Sequence, residues 1–160
     1  MNYKQIAFIL VGHSNWGKSQ TLKLLTDNNP YIRYWEINGK KFFIRRMSND
    51  DEAEGLLNFV RKLNPTKKPL LVLTLCPDFT NYKKRTLDIL NVLHQNYRLF
   101  IYVLKYPSNP KRQSAKISDE EIEQIRSHGE TLVWPDLVDA ETHKVEFARF
   151  ISENLDSVLE

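Results

Sequence analysis

The sequence predicts an α/β fold: a mostly parallel sheet of about six strands, with one antiparallel hairpin strand and helices on both faces. Apolar runs bounded by turn residues alternate with stretches of helical periodicity from one end of the chain to the other, which is how strands joined by crossover helices read. Residues Ile6 to Val11 form a continuous apolar run, as a strand buried on both faces must. Asn38-Gly39 separates two stretches rich in aromatic and β-branched residues, and this pair readily takes the positive φ angles of a two-residue hairpin turn. At 160 residues the chain suffices for one core and is short for two, so a single domain over 1–160 is expected.

The elements follow in order. Ile6 to Val11 is the first strand and Gly12 ends it. From Lys18 to Thr26 the spacing of Thr21, Leu22 and Leu25 suits a short helix, stopped by Asp27-Asn28-Asn29-Pro30. Ile32 to Ile37 and Lys41 to Met47 form the hairpin. Ser48-Asn49-Asp50-Asp51 can cap a helix whose apolar stripe is Leu56, Leu57, Val60 and Leu63, and Pro65 closes it. Leu70 to Cys76 reads as a central strand, Asn81 to Gln95 as a helix with Leu87, Leu90 and Leu93 inward, and Leu99 to Leu104 as another strand. The polar, proline-containing stretch Pro107 to Ser114 is an expected loop. Ser118 with Glu121 three residues later is a capping box, and Gly129 stands where that helix should stop. Thr131 to Trp134 is a short strand. A last helix starts near Asp139 with Val145, Ala148, Ile151, Leu155 and Val158 on one face.

Composition excludes more than it assigns. The 41% hydrophobic and 27% charged content is ordinary globular usage, and a net charge of +3 with scattered lysines and arginines gives no nucleic-acid footprint. Cys76, the only cysteine, cannot form an internal disulfide and reads as a buried small hydrophobe. The first apolar run is too short for a signal-peptide core, and none approaches the roughly 18 residues that span a bilayer. A cytoplasmic protein without membrane partners is the expectation.

The strongest local signal is Gly12-His13-Ser14-Asn15-Trp16-Gly17-Lys18-Ser19, which fits glycine, four residues, then Gly-Lys-Ser, set between a predicted strand and a predicted helix. The spacing suits the chemistry. A triphosphate needs several donors converging on its oxygens, and successive backbone N–H groups can wrap it where glycines remove the Cβ at the turns. The uncapped N–H groups and positive dipole end of the helix add to this. Lys18 can reach between the β- and γ-phosphates and is the catalytic candidate, the Ser19 hydroxyl can ligate Mg²⁺, and Ser14, Asn15 and Trp16 offer mainly backbone donors. Gln20, next along the helix, completes the expected nucleotide-binding set. His13 is expected to point to solvent.

This motif resembles that of the P-loop NTPase superfamily, and the order of elements over nearly the whole chain is similar to that of the Ras-like GTPases. The resemblance implies a three-layer P-loop sandwich that binds ATP or GTP with Mg²⁺. Two family features are missing. Met47-Ser48-Asn49-Asp50-Asp51 replaces the Asp-x-x-Gly element, and Lys105-Tyr106-Pro107-Ser108 stands where the guanine-reading Asn-Lys-x-Asp should follow a strand. Ser114-Ala115-Lys116 spells a tripeptide of such GTPases but precedes the last strand instead of following it.

A second Mg²⁺ anchor is expected at the end of a neighbouring strand, and Asp50 and Asp78 both qualify. Arg33, Arg45, Arg46, Arg85 and Arg112 are candidates to meet charge on the γ-phosphate. His94, His128 and His143 lack metal-ligand spacing. The expected function is Mg²⁺-dependent nucleoside triphosphate binding with slow hydrolysis, of switch type, with an effector protein reading the hairpin and residues 48–54. Two alternatives stand beside it: a small phosphotransferase using Tyr106 to Lys116 as a lid, and a non-catalytic nucleotide-binding scaffold.

Overall fold

Six strands make one sheet in the order β2-β3-β4-β1-β5-β6, parallel throughout except where β2 runs against β3. The computed structural model describes residues 5–13, 16, 18–27, 29, 33–46, 49, 53–77, 79, 85–105, 117–134 and 140–159. Its elements are β1 (Ile6–Val11), α1 (Lys18–Leu25), β2 (Tyr34–Ile37), β3 (Lys40–Arg45), α2 (Ala53–Arg61), β4 (Leu70–Leu75), α3 (Thr86–Asn96), β5 (Arg98–Leu104), α4 (Asp119–Arg126), β6 (Glu130–Trp134) and α5 (Ala140–Leu159). The expected loop Pro107 to Ser114 lies outside the described residues.

Both faces of the sheet are covered. Phe42 and Phe43 are consecutive in β3 and so point to opposite sides. Phe43 stacks on Phe59 of α2 with ring centroids 5.6 Å apart. On the other face Phe42 lies 5.9 Å from Phe8, and Phe8 meets Phe150 of α5 edge-on at 6.0 Å. Helix α1 packs with α5 and α2 with α3. Every residue of β1 is buried, which is why its sequence is apolar without alternation. Each of its isoleucine, phenylalanine, leucine and valine side chains contributes about 1.5–3 kcal/mol by burial.

Local signals place the turns. Asn38 and Gly39 take φ angles of 51° and 74°, and the pair Ile37–Lys40 closes a two-residue loop whose twist matches that of the strands. Ser118 accepts from the Glu121 N–H at 3.2 Å while the Glu121 carboxylate accepts from the Ser118 N–H at 3.0 Å, the reciprocal bonds of a capping box. At Gly129 an added Cβ would lie 2.4 Å from the Leu99 carbonyl oxygen, so only glycine lets the chain pass β5 there.

Two helix faces differ from expectation. Leu87 is 37% exposed, because α3 buries Thr86, Ile89, Leu90 and Leu93, and at 3.6 residues per turn Leu87 falls outside that stripe. Val145 is 52% exposed, since α5 turns Phe147, Phe150, Ile151, Leu155 and the polar His143 inward. β4 lies between β3 and β1, inside the sheet, as expected of a central strand. No described helix is long and apolar enough to cross a membrane.

Leu90→Ala is expected to lower unfolding free energy by about 2–5 kcal/mol, and Leu87→Ala on the same helix by about 0.5 kcal/mol or less, as read from urea midpoints. Tyr97 is buried with its hydroxyl donating to the Lys68 carbonyl at 2.8 Å, and burial pushes its phenol up from 10.0 to about 12. The unfolded chain therefore loses this proton first as pH rises. The contribution of Tyr97 to stability is intact below pH 10 and is lost between pH 10 and about 12. Chemical denaturation across that window should show the loss in the wild type and a smaller one in Tyr97→Phe.

Candidate functional site

Parallel strands deliver their C-terminal ends to one edge of the sheet, and the connection from β1 to α1 starts there. The Gly12 N–H donates to the Leu75 carbonyl at 3.0 Å, extending the pairing of β1 with β4 by one rung. A Cβ on Gly12 would sit 3.1 Å from Leu104 Cδ1 and 3.4 Å from Lys18 Cγ. A bare backbone here lets β1, β5 and the start of α1 meet at one point.

The loop is fastened to the core. Trp16 is 3% exposed and belongs to the main hydrophobic cluster, edge-on to the His13 ring at 4.8 Å. Its N–H donates to the His13 carbonyl at 3.2 Å, so this donor is used inside the loop. His13 is half-buried rather than turned to solvent, with Nδ1 3.6 Å from the Cys76 sulfur. Cys76 is buried, as its sequence context suggested.

Lys18 opens α1, is 7% exposed, and its ammonium donates to the Gly12 carbonyl. Burial of an ammonium is costly unless it is hydrogen-bonded, and the Gly12 carbonyl supplies such a partner. Gln20 is exposed on the helix, while Ser14, Asn15, Gly17 and the Ser19 side chain lie outside the described residues.

Asp50 and Asp78 also lie outside them, but the strands that precede them are described. β4 is hydrogen-bonded to β1, whereas β3 is one strand farther, about 10 Å from β1 at the usual sheet spacing. Among the described residues no group of three or more histidine, cysteine or carboxylate side chains is placed to hold a metal ion.

Sequence reasoning missed Asn49. It stood in a run expected to cap α2, yet it is 1% exposed, with Nδ2 donating to the Cys76 carbonyl at 3.0 Å and to Thr86 Oγ1 at 3.1 Å. Its Oδ1 accepts from the Cys76 N–H at 2.7 Å, and Thr86 Oγ1 donates to the Cys76 carbonyl at 2.9 Å. A polar residue in a polar run carries no signal that separates this role from a cap.

The arginines are mostly engaged in packing. Arg45 lies over the Phe59 ring at 4.7 Å, and Arg85 pairs with Glu54 at 3.1 Å and Asp88 at 3.4 Å. Arg46 donates to Thr26 Oγ1 at 2.5 Å and to the Asn29 carbonyl at 2.8 Å, and burial lowers its pKa from the ordinary value. Arg33 is exposed beside the edge strand β2, and Arg112 lies outside the described residues. His143 is buried against the Tyr102 hydroxyl at 3.1 Å; burial, and secondarily the Glu146 charge, raise that phenol's pKa. His94 and His128 line a cleft of about 430 Å³ with Arg98, Arg126 and Glu130, where β5 and β6 begin, at the edge opposite the loop.

Comparison with protein-family models, with curated proteins and with solved structures yields no match.

Proposed function

We propose that the loop from Gly12 to Ser19 binds a nucleoside triphosphate with Mg²⁺, that the fold is a P-loop sandwich, and that bound nucleotide is hydrolysed slowly, in the manner of a switch. The observation that supports this most is the meeting of Gly12 and Lys18. A position tight for a Cβ and a buried lysine ammonium share one strand-to-helix connection, and the motif places a glycine and a lysine there. A phosphate fits there because the ammonium can exchange the neutral Gly12 carbonyl for an anionic oxygen, a stronger partner.

In this reading Lys18 binds between the β- and γ-phosphates, and backbone N–H groups of the loop and of the first turn of α1 hold the β-phosphate. The Ser19 hydroxyl and the Asp78 carboxylate would hold Mg²⁺, with Asp78 preferred over Asp50 because β4 is the direct neighbour of β1. Bound there, Mg²⁺ supplies positive charge to the β- and γ-oxygens.

Slow turnover is the part of this reading that the described arginines of β3 and α3 support. Arg45, Arg46 and Arg85 are engaged with Phe59, with Thr26 and Asn29, and with Glu54 and Asp88, so none of these is poised over the γ-phosphate. Rates on the order of 10⁻⁴–10⁻³ per second are expected, as for related enzymes lacking a supplied arginine. A protein partner that contributes a cation would read the hairpin and residues 48–54.

Thermal unfolding with ATP, GTP and non-hydrolysable analogues tests this. A nucleotide at about 100 times its Kd should add roughly 2.7 kcal/mol of stability. Lys18→Ala should abolish the shift, and Gly12→Ala should weaken it. Equal shifts in wild type and Lys18→Ala would refute the assignment.

A further inference from the structure

β2 ends the sheet, so one of its sides has no neighbouring strand among the described residues. The hairpin decides which main-chain groups lie on that side. The Ile44 N–H donates to the Arg33 carbonyl at 2.7 Å, which makes Arg33 and Ile44 a hydrogen-bonded pair. In an antiparallel ladder such pairs alternate with pairs that do not bond each other. Bonds from β2 to β3 therefore come from Arg33, Trp35 and Ile37, and the main-chain groups of Tyr34 and Glu36 point away from the sheet. Such an edge is a template for another strand.

The side chains beside this edge are aromatic and basic. Tyr34 is 46% exposed and edge-on to Phe43 at 5.2 Å, with the Lys41 ammonium 4.6 Å from its ring centre. Tyr34, Trp35, Glu36 and Lys41 line a hollow of about 410 Å³. Arg33 and Lys40 are exposed before and after β2, and Glu36 is the one carboxylate among residues 33–46.

Charge selects among occupants. A second copy presenting its own β2 brings the same cations face to face, and like charges opposed across strands are destabilising. On the other open edge, β6, Glu130 is already paired with Arg98. An extended chain rich in aspartate and glutamate meets neither obstacle.

We propose that the open edge of β2 binds an acidic, extended segment of another protein by strand addition. Its main chain bonds Tyr34 and Glu36, its carboxylates meet Arg33, Lys40 and Lys41, and an apolar side chain enters the hollow beside Tyr34. This gives a chemistry to the partner proposed above for the hairpin; it rests on that partner but on no bound nucleotide.

The test probes an array of peptides of about eight residues, varied in charge and β-branched content, with nucleotide-free protein, then titrates the strongest binder against variants shown by melting curves to be folded. The binders should be acidic, with β-branched residues at alternate positions. Lys40→Glu with Lys41→Glu should weaken binding about tenfold, as attraction across strands becomes repulsion. Glu36 separates charge from backbone. Glu36→Ala removes a like charge and should bind more tightly, whereas Glu36→Pro removes an edge N–H without breaking a bond to β3 and should bind about tenfold or more weakly. Should Glu36→Pro not fold, the same peptide N-methylated at alternate residues decides, and it should not bind. The proposal is overturned by an array without binders, by binders no more acidic than the array as a whole, or by unchanged affinity in Glu36→Pro or for the N-methylated peptide. Single-stranded DNA bound as tightly as the best peptide would also overturn it, and so would sedimentation showing that this edge already joins two copies. No nucleotide is present in these measurements, so each such failure leaves the phosphate-loop reading to its own melting test.

Discussion

Close approach at Gly12 is the constraint on which the arrangement of this protein turns. β1 lies between β4 and β5 with all its side chains buried, so the connection that leaves it must turn within the crowded edge of a covered sheet. Leu104 of β5 and the Lys18 stem of α1 crowd the space a Cβ would take. Trp16 closes the turn from below by inserting its indole into the core. An anion-binding loop needs a backbone held in place before the ligand arrives, because ordering it on binding would consume the affinity. Burial of Trp16 in the core supplies order of the kind that the proposed phosphate site would require.

Charge follows from the same geometry. Lys18 opens α1, is buried, and rests its ammonium on the Gly12 carbonyl. Three of the five candidate arginines instead tie elements together. Arg46 joins the end of β3 to the exit of α1, Arg85 joins α3 to α2, and Arg45 covers Phe59.

Much of this was legible in the sequence, for reasons that differ by element. β1, β4 and β5 are apolar without alternation because both sheet faces are covered, and the Asn38-Gly39 turn and the Ser118-Glu121 capping box depend on contacts only a few residues apart. What failed depended on angle or on distance along the chain. Leu87 and Val145 sit on helices whose buried stripe begins at a different residue, a shift of phase that leucine and valine spacing alone cannot resolve. Asn49 was missed because its partners, Cys76 and Thr86, are far from it in sequence. The half-buried setting of His13 likewise depends on Cys76.

The most direct measurement of the central claim is amide chemical-shift mapping by NMR as Mg²⁺ and a non-hydrolysable triphosphate are added to the isotopically labelled wild-type protein. The expected result is large shifts for the amides of Gly12, Trp16 and Lys18, smaller ones at Cys76, and none at His128 and Gly129 on the opposite edge of the sheet. Shifts confined to that opposite edge, or none at saturating ligand, would contradict a phosphate site at the end of β1.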